Sequence, residues 1–171
     1  MRPQPEEYGA FYEGYIEEVG SGDIIDILKD QMHETYTLIN SLTAKQSRYR
    51  YAEGKWTVKE VIGHLIDSER IFAYRGLCFA RNETKSQPGY DQDAYVEEGN
   101  FKERSLQSLG DEYFSLRNAT IILFNSFTEE VLLRKGTAND NTFSVRALAY
   151  IIAGHERHHL KVLEDKYHIS T

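Results

Sequence analysis

Apolar residues recur at three- and four-residue intervals in four long stretches, the period of a helix that buries one face. The first runs from Asp23 to Leu42, with Ile24, Ile27, Leu28, Met32, Tyr36 and Ile39 in phase behind capping residues at Ser21-Gly22-Asp23. The second runs from Thr57 to Arg81 and sets Val61, Leu65, Phe72 and Phe79 on one face. It opens with Thr57-Val58-Lys59-Glu60, a capping box in which hydroxyl and carboxylate each satisfy a free backbone N–H. The third spans Ser105 to Phe127, carrying Leu109, Phe114, Leu116, Ile121 and Phe124, and the fourth opens near Ser144 and runs to Lys166. Stretches rich in Gly, Asn, Asp or Pro separate them. No strand is strongly signalled, and there is no internal repeat or low-complexity tract.

Helices of about 20 residues are about 30 Å long. Four of them, each with a single apolar stripe, bury those stripes most simply against one another. The predicted fold is therefore all-α, a four-helix bundle in a single domain over residues 1–171. The 82–104 segment, with Pro88, Gly89 and Gly99, is long for a bundle connection and is expected to cross over one end. Tyr8, Phe11, Tyr12 and Tyr15 make the 1–21 segment too aromatic for a free tail, so it is expected to pack on the body.

A chain of 171 residues can bury a core without disulfides or a structural metal. Cys78 is the single cysteine, so no disulfide forms within the chain, and a buried structural thiol is the simpler reading than a nucleophile. The net charge of −7, with no Lys/Arg cluster, argues against a nucleic-acid partner, because binding a phosphate backbone depends on cationic neutralisation. No apolar run approaches the ~20 residues that span a bilayer. The opening Met1-Arg-Pro-Gln-Pro-Glu-Glu lacks the apolar centre of a secretion signal. No membrane partner is expected, and the expected location is cytoplasmic.

The informative residues are histidines. On a helical wheel of the fourth stretch, His155 and His159 fall within the apolar stripe of Leu148, Ile151, Ile152, Val162 and Leu163. Arg146, Arg157 and Glu164 take the opposite side. Two imidazoles one turn apart and facing the core can bind one divalent ion; metal-free, they would be costly to desolvate. His158 lies on the stripe's border, a flanking residue rather than a ligand. A catalytic zinc site takes a third protein ligand. His168 lies past the fourth helix and His33 lies off its stripe. The wheel sets His64 at the edge of the second stripe, which leaves it open between a ligand and a packing residue.

Two blocks make a more specific pattern: Trp56-Thr57-Val58-Lys59-Glu60 with Gly63-His64-Leu65-Ile66-Asp67 on the second helix, and His155-Glu156-Arg157-His158-His159 on the last. Together with Pro88-Gly89-Tyr90-Asp91-Gln92-Asp93-Ala94-Tyr95 between them, the pattern resembles the DinB/YfiT-like superfamily over residues 20–166. The resemblance implies an up-down-down-up four-helix bundle. It also implies one divalent metal, zinc or nickel, held by His64, His155 and His159 with water completing the shell. The activities it implies act on a small-molecule substrate: transfer to a low-molecular-weight thiol of the bacillithiol type, or metal-dependent hydrolysis. The competing reading is a metal-binding, stress-associated protein without turnover. Relatives often form homodimers. Asp67, Glu69, Asp91 and Glu156 are candidates to orient the imidazoles from outside the ligand shell.

Two rival motifs overlap these residues. His155-Glu156-x-x-His159 spells the zincin peptidase motif, with Glu156 as general base, but its extended form needs Gly where Val162 stands. A surface or outer-shell carboxylate is the preferred reading of Glu156. Glu156-x-x-His159 also matches half of a di-iron carboxylate site, but no second Glu-x-x-His exists. Three imidazoles suit Zn²⁺ or Ni²⁺ better.

Overall fold

The four periodic stretches form the four long helices of the computed structural model, which describes residues 1–169. They are α2 (Ile24–Ser41), α4 (Val58–Ala80), α6 (Leu106–Asn125) and α8 (Val145–Tyr167). The short helix α1 (Glu13–Glu18) precedes them, and α3 (Ala44–Arg48), α5 (Gln92–Glu98) and α7 (Glu129–Leu132) lie between them. The expected caps hold. Asp23 accepts from the N–H groups of Ile25 and Asp26, and Thr57 and Glu60 form the reciprocal capping box.

Matched contacts give the helix directions. Along α2 and α6, Gln31 meets Tyr113 while Ile39 lies against Gly110, so the pair is antiparallel. Along α4 and α8, Trp56 meets Tyr167 and His64 meets His155, again antiparallel. Along α4 and α6, Glu69 meets Arg117 and Gly76 meets Phe124, so these run parallel. Gln31 with Ala153 and Thr35 with Glu156 show that α2 and α8 are parallel too. The order is up-down-down-up.

Parallel α4 and α6 decide the course of the 82–104 connection. It cannot cross over one end as expected, because α6 starts where α4 starts. It returns along α4 instead: Gln87 pairs with the hairpin beside the end of α4, Val96 of α5 is buried, and Phe101 packs on Gly63. The expectation of no strand is also corrected. Lys135–Ala138 (β1) and Asn141–Ser144 (β2) form an antiparallel hairpin, with Asn139 and Asp140 at φ 46° and 60°. Both turn residues lie in the left-handed region that a tight two-residue hairpin turn requires.

The core has two apolar clusters. One, around Leu28, Phe72, Phe79, Phe124, Phe143 and Leu148, sits toward the hairpin. The other, around Ile39, Val58, Ile62, Phe101, Leu109 and Leu163, sits toward the opposite end. Between them every long helix contributes buried polar groups: Gln31 and Thr35 from α2, His64 and Glu69 from α4, Arg117 from α6, His155 and Glu156 from α8. That polar layer holds the chemistry.

The N-terminal segment covers one side of it. Ile16 and Val19 are buried against α8, whereas Phe11 stays 77% exposed. A methyl group on Gly154 would collide with the Tyr15 carbonyl oxygen, so only glycine lets α1 approach α8 this closely. Arg146 forms a bidentate ion pair with Glu7. Burial raises the Glu7 carboxyl, but the pair and the Gln4 N–H outweigh it and hold the group at about 2.

Candidate metal centre

His155 and His159 project from successive turns of α8, and His64 reaches them from antiparallel α4. The Nε2 atom of His155 lies 3.1 Å from that of His64 and 3.1 Å from that of His159. One nitrogen from each ring falls within 4.8 Å of the other two. His64 and His155 are buried and His159 is half-buried. The structure thus brings together the three histidines singled out in the sequence, including the one that the helical wheel left open.

This convergence is unfavourable for bare imidazoles. A ring nitrogen offers one in-plane site, either an N–H or a lone pair. His155 Nε2 faces two nitrogens at hydrogen-bonding distance and can make one full hydrogen bond, not two. Protonation does not relieve the site. Burial pushes His64 down to about 4 and His159 down to about 3, and burial with the neighbouring histidines holds His155 well below its ordinary value. At neutral pH the cluster is three neutral nitrogen donors. Tetrahedral zinc with Zn–N bonds of about 2.0–2.1 Å separates its ligands by about 3.3 Å, close to the spacing observed. The donor set therefore fits a divalent cation and leaves a coordination position for a non-protein ligand.

Aromatic rings wall the cluster: Trp56 packs 4.8 Å from His64, and Tyr15 packs 5.3 Å from His155. Behind His64, the Ser68 hydroxyl lies 3.4 Å from Nδ1 and 2.8 Å from the Tyr90 hydroxyl. This hydroxyl pair is the contact that fixes the His64 ring. Cavities reach the cluster from both sides. One of about 710 Å³ opens at His159 between Trp56, Tyr51 and Lys102; one of about 290 Å³ opens at His155 between Tyr12, Tyr15, Phe72, Arg75 and Tyr90.

The four carboxylates expected to orient the imidazoles do not do so. Among the described residues, no carboxylate hydrogen-bonds any of the three rings. Asp91 is exposed and caps α5. Asp67 is half-buried, and burial raises its carboxyl. Glu69 and Glu156 are committed to Arg117, a residue that the sequence reading passed over. Arg117 is 1% exposed and donates Nε and Nη2 to Glu69 at 2.8–3.0 Å and Nη2 to Glu156. Glu156 also accepts from Thr35 at 2.6 Å and Tyr113 at 3.0 Å. It is neither a surface carboxylate nor a free general base, which removes the zincin reading. The signal was present in the sequence: Arg117 lies in phase with Leu109, Tyr113, Ile121 and Phe124.

Burial alone would lower the Arg117 guanidinium, but the two carboxylates outweigh it. Burial pushes Glu156 up against the pull of the same arginine. A void of about 10 Å³ separates this group from His155, room for about one water. The other histidines stay outside the cluster. His158 packs edge-on to Tyr15 and His159, while His33 and His168 are exposed. Cys78 is half-buried and unpaired.

A family model described as the DinB superfamily matches residues 27–163. The chain belongs to the DinB superfamily. As a DinB chain it is 28% identical over 153 residues to a protein of Oceanobacillus iheyensis named "Putative metal-dependent hydrolase", an alignment covering 84% of this chain and 85% of that one. Its fold is similar to that of YfiT from Bacillus subtilis, described as "a probable metal-dependent hydrolase with an unusual four-helix bundle topology". That match has a TM-score of 0.69 at 22% identity and covers 86% of this chain and 87% of that one. No helix among the described residues is long and apolar enough to cross a membrane.

Proposed function

We propose that this protein is a metal-dependent hydrolase of small molecules, with His64, His155 and His159 as ligands to a single zinc or nickel ion. The convergence of three Nε2 lone pairs, which the imidazoles cannot satisfy among themselves, carries this reading. The names of the Oceanobacillus relative and of YfiT support hydrolysis. A divalent ion bound there supplies Lewis-acid polarisation of a substrate carbonyl or phosphoryl group and activates water.

The chain's own residues do the rest. Ser68 and Tyr90 hold His64 by its far nitrogen, which fixes the ring that the ion needs. Trp56 and Tyr15 keep bulk water off the ring faces. The Arg117 group braces α8 behind His155 through Glu156 without taking a ligand position.

Metal analysis of protein purified without added chelator tests the site. About one divalent ion per chain is expected, lost in His64→Ala, His155→Ala and His159→Ala; retention in all three overturns the site. A panel of esters and amides is then assayed without thiol, beside electrophiles with bacillithiol. Turnover without thiol supports hydrolysis. Turnover that requires the thiol replaces it with S-transfer, and silence in both arms with metal bound favours a binding protein.

A further inference from the structure

Arg75 is 3% exposed and has no carboxylate partner among the described residues. Arg117, the other deeply buried arginine, has two. The contacts that Arg75 does make are one hydrogen bond of 2.7 Å to the Pro88 carbonyl and the face of Phe72, 5.8 Å from its guanidinium carbon. Neither neutralises a charge, and burial lowers its tendency to stay protonated. A buried unpaired cation is costly unless something completes it.

Its surroundings point to what does. Arg75 lines the 290 Å³ cavity that His155 also lines, with Tyr12, Phe72 and Tyr90 in the same wall. It also borders a pocket of about 320 Å³ outside the 87–90 loop, which Pro88, its hydrogen-bond partner, lines as well, whereas Phe72, on whose face it lies, lines the cavity and not that pocket. One cavity is thus lined by a metal-ligand candidate, a guanidinium without a counter-ion, and aromatic rings. Its volume is at the lower limit for ligand sites.

We infer that Arg75 is the specificity residue for a small anionic substrate: it receives a carboxylate or phosphate oxyanion while the scissile group reaches the three-histidine centre. This rests on the function proposed above and narrows it to anionic substrates. Guanidinium geometry matches an oxyanion in a bidentate fashion, and the low-dielectric wall strengthens that contact. Substrates without the oxyanion leave the arginine uncompensated and are discriminated against.

Binding to zinc-loaded protein, measured by titration calorimetry, tests this independently of turnover. The probes are malono-, succino- and glutarohydroxamic acid, each paired with the hydroxamate of like length that ends in a methyl group. A hydroxamate chelates the ion, and the carboxylate is free to reach Arg75. In at least one pair the carboxylate is expected to bind about tenfold or more tightly, the scale of one charge-assisted hydrogen bond. Arg75→Met is expected to abolish that preference while keeping the affinity for the methyl-ended partner, which also shows that the variant is folded. Arg75→Lys should keep part of it. The phosphonate counterpart of the best carboxylate identifies the oxyanion, since whichever gains more from Arg75 is the better mimic. Equal binding within every pair, phosphonates included, overturns the role of Arg75 and leaves the metal centre standing; failure of every hydroxamate overturns the centre itself.

Discussion

Within the middle layer of the bundle, the buried Glu69–Arg117–Glu156 group lies beside the three imidazoles, two buried and one half-buried, with about one water's volume between it and His155. The carboxylates have donors from Arg117, Tyr113 and Thr35, and in this group only Arg117 Nη1 is left without a partner among the described residues. The imidazoles point Nε2 at Nε2, and those three nitrogens have no hydrogen-bonding partner but one another. Neighbouring buried groups thus differ in how far they complete one another. A polar group closed on itself holds the helices in register; one left open toward a common point is a receptor for something positive. By the same criterion, with the sign reversed, paired Arg117 is structural and unpaired Arg75 is a receptor for something negative.

The largest effect is expected from breaking the closed group. Arg117→Met leaves two carboxylates facing each other in the core and should destabilise the protein by about 3–5 kcal/mol in urea unfolding. Adding Glu69→Gln and Glu156→Gln to that variant should recover part of the loss; a single Arg117→Met within about 0.5 kcal/mol of wild type would mean that the group does not hold the bundle.

The open group should respond to its ion instead. Zinc at about 100 times its dissociation constant is expected to raise stability by about 2.7 kcal/mol. His155→Ala should remove that gain while folding normally without metal. An equal gain in wild type and variant would place the ion elsewhere.

The helices and the histidine pair on α8 were legible because the fourth stretch has a clean stripe, with charged residues opposite His155 and His159. Periodicity alone left His64 open, and the family resemblance had to supply it, because α4 is buried on all sides from Val58 to Ile66, against α8, Phe101 and its other neighbours, so no single stripe marks its inward face. Arg117 was missed because a charge in an apolar stripe was not credited with inward-facing partners from other helices. The four-residue strands are too short to show a period, and the Asn139-Asp140 turn was their sole local mark. The path of the 82–104 connection depends on α4 and α6 being parallel, a tertiary fact that no local pattern carries.

A smaller effect separates the Ser68–Tyr90 pair from inert packing. Ser68→Ala should weaken zinc affinity about 10- to 100-fold, the range for partners that orient a ligand, and leave metal-free stability nearly unchanged. A competition titration against a chromophoric chelator reads this out; unchanged affinity would remove Ser68 from the site.

A separate effect is the acid response of the metal-free protein. The folded values of His64 and His159, about 4 and about 3, lie below the ordinary 6.5. The unfolded chain therefore takes up protons first as pH falls, and the contribution of these groups is fully present above pH 6.5 and lost on the way down to about 3. Chelator-treated His64→Ala should show a shallower decline across that window by thermal melting; the same slope as wild type would contradict the assigned shifts.

The most direct test of the three-histidine centre is anomalous scattering at the zinc and nickel edges from crystals of protein purified with its native metal. A single peak within about 2.0–2.1 Å of Nε2 of His64, His155 and His159 is the expected result. Fully occupied density elsewhere on the chain, or three rings hydrogen-bonded around a water with no anomalous signal at either edge, would contradict it.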